Sequence, residues 1–108
     1  AVGLGAPVVE IHTGRYCDLA AEGRVEERDR ELGRIAGAAR YGRSIGLEVH
    51  AGHGLAYDTV GPVAALPELM ELNIGHFLVG EAIFVGLVPA IREMRRQMDL
   101  ARAAAGRP

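Results

Sequence analysis

The strongest constraint on the fold is an alternation. Short runs rich in Val, Ile, Leu and Phe, each followed by glycine, are separated by longer stretches with helical periodicity. Three such runs read as strands: Pro7 to His12, Leu47 to Ala51 and His76 to Gly80. Between the first two, Leu32, Ile35, Ala36 and Ala39 fall at i, i+3, i+4 and i+7, which predicts an amphipathic helix from about Val25 to Arg43. After the second, "TVGPVAALPELMELN" predicts a short helix with Pro62 in its first turn and Pro67 ending or restarting it. After the third, Leu87, Ile91, Met94, Met98 and Ala101 form another stripe, with Pro89 near the helix start. The last residues, "AAAGRP", are expected to fray.

Strand, helix, strand, helix, strand, helix calls for parallel strands joined by right-handed crossovers. Three units in 108 residues give about 36 residues each, near the roughly 31 of one unit in an eight-unit barrel of about 250 residues. A doubly wound sheet also satisfies the pattern. Three strands do not close a barrel, and an open sheet has two unpaired edges. The chain begins at Ala1 and enters an apolar run almost at once, so residues 1–108 are expected to be a piece of one larger domain.

Composition narrows the partners. A net charge of -2 and 24% charged residues provide no basic excess for neutralising nucleic-acid phosphates. The single cysteine, Cys17, has no intramolecular disulfide partner. With no signal peptide and no apolar run of about 18 residues, no membrane association is expected, and the cytoplasm is the expected compartment.

Strand alternation puts Glu10 with His12, and Glu48 with His50, on one polar face, while Val9, Ile11, Leu47 and Val49 face the helices. Polar groups on an inward face need partners, and a carboxylate beside an imidazole supplies one, so His12, Glu48 and His50 read either as a structural network or as functional groups. His53 differs. It lies past the strand's carboxyl end between Gly52 and Gly54, where loops of parallel α/β folds converge on active sites, and an imidazole there is suited to proton transfer near neutral pH. A surface turn is the simpler alternative. Gly80, before an expected helix, marks an anion-binding helix N-terminus, opposed by the carboxylate of Glu81 in the first turn. Two ligands of a zinc site, His50 and His53, keep a metal-dependent hydrolase among the alternatives, and a non-catalytic phosphate-binding or assembly module is another.

Taken together, "EIHTGRY", "AGHGL" and "ELNIGHFLVGEAIFVGL", in this order and spacing, resemble the carboxyl-terminal part of the pyridoxine 5'-phosphate synthase family, from Gly5 to about Met98. The resemblance implies the last three β/α units of a (β/α)8 TIM barrel, and a cytoplasmic homo-oligomer, typically an octamer. It implies condensation of two small phosphorylated substrates, 3-amino-2-oxopropyl phosphate and 1-deoxy-D-xylulose 5-phosphate, to pyridoxine 5'-phosphate without metal or organic cofactor. It also implies His53 as proton donor, Gly54 as a contact to the aminooxopropyl phosphate, Gly75 and His76 as holders of that substrate's phosphate, and Glu10 as a stabiliser of charged intermediates. The family's other proton acceptors belong to earlier strands, so residues 1–108 alone are expected to be inactive. The polar, charged stretch "CDLAAEGRVEERDRE" after the first motif reads as a loop, compatible with a mobile segment over the site.

Overall fold

The computed structural model describes residues 7–106. Its elements run β1 (Val8–His12), α1 (Gly14–Ala21), α2 (Val25–Ser44), β2 (Glu48–Gly52), α3 (Tyr57–Ala64), β3 (Leu69–Asn73), α4 (His76–Val85) and α5 (Leu87–Ala105). The strands form one parallel sheet in the order β1-β2-β3. The chain is thus α/β, as the alternation requires.

One face of the sheet carries the core. Val49, Ala51 and Leu69 are buried there against Ile35 and Ala39 of α2, Tyr16 and Cys17 of α1, Val63 of α3 and Leu55, with Val9 and Ile11 partly covered. Helix α2 follows the expected stripe. Ile35 and Ala39 are fully buried, and Glu26 and Glu27 in the first turn with Arg43 in the last match the helix dipole. The opposite face is polar. Glu10, His50 and Glu71 sit in register across the three strands, and Glu10 and Glu71 are exposed.

Several expectations are corrected. The third strand is Leu69–Asn73, not His76–Gly80, and His76–Gly80 is instead the first half of α4. "LMELN" consists mainly of helix-compatible residues, yet Pro67 blocks continuation from α3 and the open edge of β2 takes the segment into its ladder, with an irregularity between Val49 and His50. The apolar run from His76 has no helical stripe to announce it, because α4 is apolar all round. Pro62 stands sixth in α3 rather than in its first turn. The helix starts earlier, at Tyr57, where the Thr59 hydroxyl accepts a hydrogen bond from the Ala56 N–H at 2.9 Å.

The stretch after the first motif is also ordered. It forms α1, whose Tyr16, Cys17 and Leu19 enter the core, and the start of α2. In α5 the buried line runs through Ala90 and Met94, with Met98 and Ala101 partly covered, while Leu87 and Ile91 are exposed. Helix α5 is tied down by Arg102, whose guanidinium donates to the carbonyls of Ala64, Leu66 and Leu69 at 3.0, 2.6 and 3.1 Å. It is regular to Ala105, so the expected fraying is not seen through that residue, and Arg107 and Pro108 lie outside the described residues, as does Gly5. No helix among the described residues is long and apolar enough to cross a membrane.

Candidate functional site

A cleft of about 680 Å³ opens at the carboxyl ends of the strands, lined by Glu10 and His12 of β1, His53, Gly54 and Leu55 after β2, and Leu72 to Phe77 around the end of β3 and the start of α4. All five residues singled out from the sequence, Glu10, His53, Gly54, Gly75 and His76, lie on its walls. They come from three segments far apart in sequence. Parallel strands bring them together because every strand ends at the same edge of the sheet.

The imidazole of His53 stacks on that of His12, with ring centroids 4.2 Å apart and planes inclined by 27°. Among the described residues His53 is the one non-glycine with positive φ, at 90°, and Gly54 follows at 81°. Such a backbone costs a histidine on the order of 1–3 kcal/mol and persists only where neighbours enforce it. Here the neighbours are visible. The Thr13 hydroxyl, fully buried, donates to the His53 carbonyl at 2.7 Å, the Thr13 N–H donates to the Gly52 carbonyl at 2.8 Å, and the Cys17 thiol lies 3.8 Å from the His53 carbonyl.

Glycines make this packing possible. A Cβ on Gly14 would stand 2.8 Å from both His12 Cε1 and His53 Cδ2. One on Gly52 would meet the Asn73 carbonyl at 2.7 Å and Glu10 Oε1 at 2.9 Å, which places the Glu10 carboxylate over the end of β2. One on Gly54 would approach Cys17 Cβ at 3.2 Å.

The opposite wall is the start of α4. Gly75 is its N-cap and His76 its first residue, so the free N–H groups of the first turn border the cleft, and the space beside the Gly75 Cα is open. The helix N-terminus therefore stands at Gly75 and His76 rather than at Gly80. Glu81 lies one turn further on, and α4 has no acidic residue in its first turn, so the expected competition between Glu81 and an anion does not arise.

His50 stays outside this cleft. Its Nε2 lies 2.6 Å from Glu48 and its Nδ1 3.0 Å from Glu71, so both ring nitrogens are engaged on the polar face of the sheet. The pairing of His50 with Glu48 matches the network reading, whereas Glu71 joins it only because β3 is a strand. Among the described residues no group of three or more His, Cys, Asp or Glu is arranged to hold a metal ion.

Burial pushes the Cys17 thiol up, with the Thr59 hydroxyl opposing, and burial likewise raises Tyr16, whose hydroxyl donates to the Thr59 carbonyl at 2.9 Å. Both side chains brace the loop from behind as neutral groups. Reading the sequence alone passes over Thr13, Gly14 and Asn73 and leaves His12 undecided. Their one visible signal is membership of the motifs: His12, Thr13 and Gly14 lie in "EIHTGRY" and Asn73 in "ELNIGHFLVGEAIFVGL".

The family model described as "Pyridoxal phosphate biosynthesis protein PdxJ" matches residues 1–100. Among curated proteins, the chain is 67% identical over 100 residues to a pyridoxine 5'-phosphate synthase of Ruegeria pomeroyi, covering 93% of this chain and 40% of that protein. It is 65% identical over 99 residues to the synthase of Jannaschia sp., with 92% and 40% covered, and 58% identical over 98 residues to that of Caulobacter sp., with 91% and 39% covered. The chain therefore spans about 40% of the length of these relatives.

Proposed function

The chain belongs to the PdxJ family of pyridoxal phosphate biosynthesis proteins, and on that premise we propose that it forms part of a pyridoxine 5'-phosphate synthase, the activity its relatives are named for. The proposed reaction condenses 3-amino-2-oxopropyl phosphate with 1-deoxy-D-xylulose 5-phosphate by imine formation, dehydration and ring closure, releasing phosphate and water, with no metal or organic cofactor. The observation that carries this reading is the convergence of Glu10, His53, Gly54, Gly75 and His76 on one cleft.

The roles are those the resemblance implies, and the position of each residue is compatible with its role. The phosphate of the aminooxopropyl substrate sits at the N-terminus of α4, against the N–H groups at Gly75 and His76, where the helix dipole favours negative charge. Gly54, without a side chain, lets that substrate approach the backbone. His53 then faces the carbon skeleton and donates a proton to a departing oxygen, work that an imidazole does near neutral pH. Glu10 reaches over the end of β2 and stabilises the cationic imine stage by its charge.

We further assign residues 1–108 to three consecutive β/α units, the carboxyl-terminal ones, of a single (β/α)8 barrel domain. Two features support this. The polar sheet face, with Glu10, Glu48, His50 and Glu71, suits the filled interior of a barrel. Helix α4 exposes Val79, Ile83 and Phe84 at 64%, 79% and 84%, as expected of a helix made to be covered by further parts of its own domain or by another subunit. The proton acceptors that the resemblance assigns to earlier strands complete the site, so residues 1–108 by themselves are inactive. The complete protein acts in the cytoplasm as a homo-oligomer.

The test follows pyridoxine 5'-phosphate formation from the two phosphorylated substrates by the full-length protein and by residues 1–108, each with and without a chelator. Chelator-resistant product from the full-length protein alone is the expected result. A folded full-length protein that makes no product overturns the synthase reading.

A further inference from the structure

Thr13 occupies the N-cap position of α1, where a threonine ordinarily accepts a hydrogen bond from an N–H of its own helix's first turn. It makes no such side-chain cap. Its hydroxyl is turned to the far side and donates instead to the carbonyl of His53 at 2.7 Å, forty residues along the chain and in a different loop. The side chain is fully buried, so water does not compete for the hydroxyl.

We propose that Thr13 is a positioning residue for His53, an inference that rests on the synthase reading and on His53 as its proton donor. The carbonyl of His53 faces Thr13 because the residue holds φ at 90°, a conformation that a side-chain-bearing residue abandons when nothing enforces it. The hydroxyl holds the carbonyl, and the Thr13 N–H holds the preceding carbonyl of Gly52 at 2.8 Å, so two adjacent peptide groups are pinned to the end of β1. With the backbone set, the ring has one place to go, stacked 4.2 Å from His12 at the mouth of the cleft. Thr13 touches no substrate. It acts on the reaction through the orientation of His53, and removing its hydroxyl lets the peptide relax and the imidazole leave the reacting oxygen.

A purely structural role for Thr13 lowers the amount of folded protein and leaves turnover per folded molecule alone. A positioning role lowers kcat with little change in KM, because the phosphate-binding wall at Gly75 and His76 is untouched. The experiment compares T13S, T13V and T13A in the full-length protein, with kcat and both KM values taken per folded molecule. T13S, which keeps the hydroxyl, retains kcat within threefold. T13V and T13A each lose at least tenfold in kcat, with both KM values within threefold.

T13A carries the comparison if the valine variant does not fold. If neither folds while T13S does, the hydroxyl serves stability and the positioning role is overturned. It is equally overturned by T13A turning over within threefold of an active wild type, or by T13S losing as much as T13A. A wild type that folds and makes no product removes the synthase reading, and this inference with it.

Discussion

The imidazoles of His12 and His53 lie stacked 4.2 Å apart, and the Cα of Gly14 closes the space beside both rings. The N–H of Gly14 also points at His12 Nδ1, at 3.4 Å, leaving that nitrogen as the acceptor. The pair joins the end of β1 to the loop after β2, so the orientation of His53 depends on a residue two positions from Glu10 as much as on its own neighbours.

Gly14→Ala tests that dependence. The added methyl would sit 2.8 Å from an atom of each ring, closer than real contacts allow, so one imidazole must move. Alanine is the better helix former and Gly14 opens α1, so local propensity favours the variant. We expect folded protein with at least a tenfold loss in turnover and altered chemical shifts for both histidine rings. Unchanged ring shifts would show that the stack is not held from this side.

His53→Asn removes the proposed proton donor while keeping a residue that tolerates positive φ. Turnover should fall by about 10² to 10⁴, the range of a lost general acid, with the protein still folded. A loss under tenfold in pyridoxine 5'-phosphate formation would take His53 out of that role.

Arg102 bonds three carbonyls at the end of α3 and the start of β3. Arg102→Met keeps much of the apolar stem and deletes the donors, so it should cost about 1–2 kcal/mol, the discount reflecting the partial exposure of these bonds. Chemical denaturation measures the change, and an effect below a few tenths would mean that water replaces the guanidinium without loss.

The alkaline limit of stability has a definite sign. Burial raises Cys17 above 9.0 and Tyr16 above 10.0, and Tyr57 is also raised, by burial and by the nearby Glu81 and Glu93. Each group is held neutral in the folded state, so the native protein keeps protons that the unfolded chain releases. The stabilisation is complete below the unfolded values and is lost as pH rises through the folded ones. The sequence contains no lysine, so no side-chain ammonium titrates in that range. Urea denaturation should give a flat stability from pH 7 to 8 and a decline from about 9 upward, with Cys17→Ala removing the earliest part of it. A rise in stability across that range would contradict the burial of both groups.

Much of the site is legible in the sequence, for a reason that lies in strand geometry. Alternation alone separates Glu10 and Glu48 from Val9, Ile11 and Val49, and the glycines around His53 mark a loop at the carboxyl edge of a strand. The stripe of α2 is equally local, since residues three and four apart share a face whatever the rest of the chain does. The resemblance carried by the three motifs added the roles proposed for Glu10, His53, Gly54, Gly75 and His76.

Where periodicity is absent, local reading failed. "HFLVGEAIFV" has no stripe and "LMELN" no clean alternation, so nothing within either segment separates strand from helix. Pairing with β2 decides it: Leu69 enters the core opposite Val49, Glu71 reaches His50, and His76 is left to open a helix beside the cleft.

The sequence by itself determined the alternation of strands and helices, the stripe of α2, the polar and apolar faces of β1 and β2, and the residues available for chemistry, because these follow from spacing along one segment. Only the tertiary structure decided that the Thr13 hydroxyl serves His53, that His12 stacks on it, and that the free N–H groups of α4 face the same space as Glu10. Those relationships join residues brought together by sheet pairing and crossover connections, and long-range proximity of that kind leaves no period in the chain.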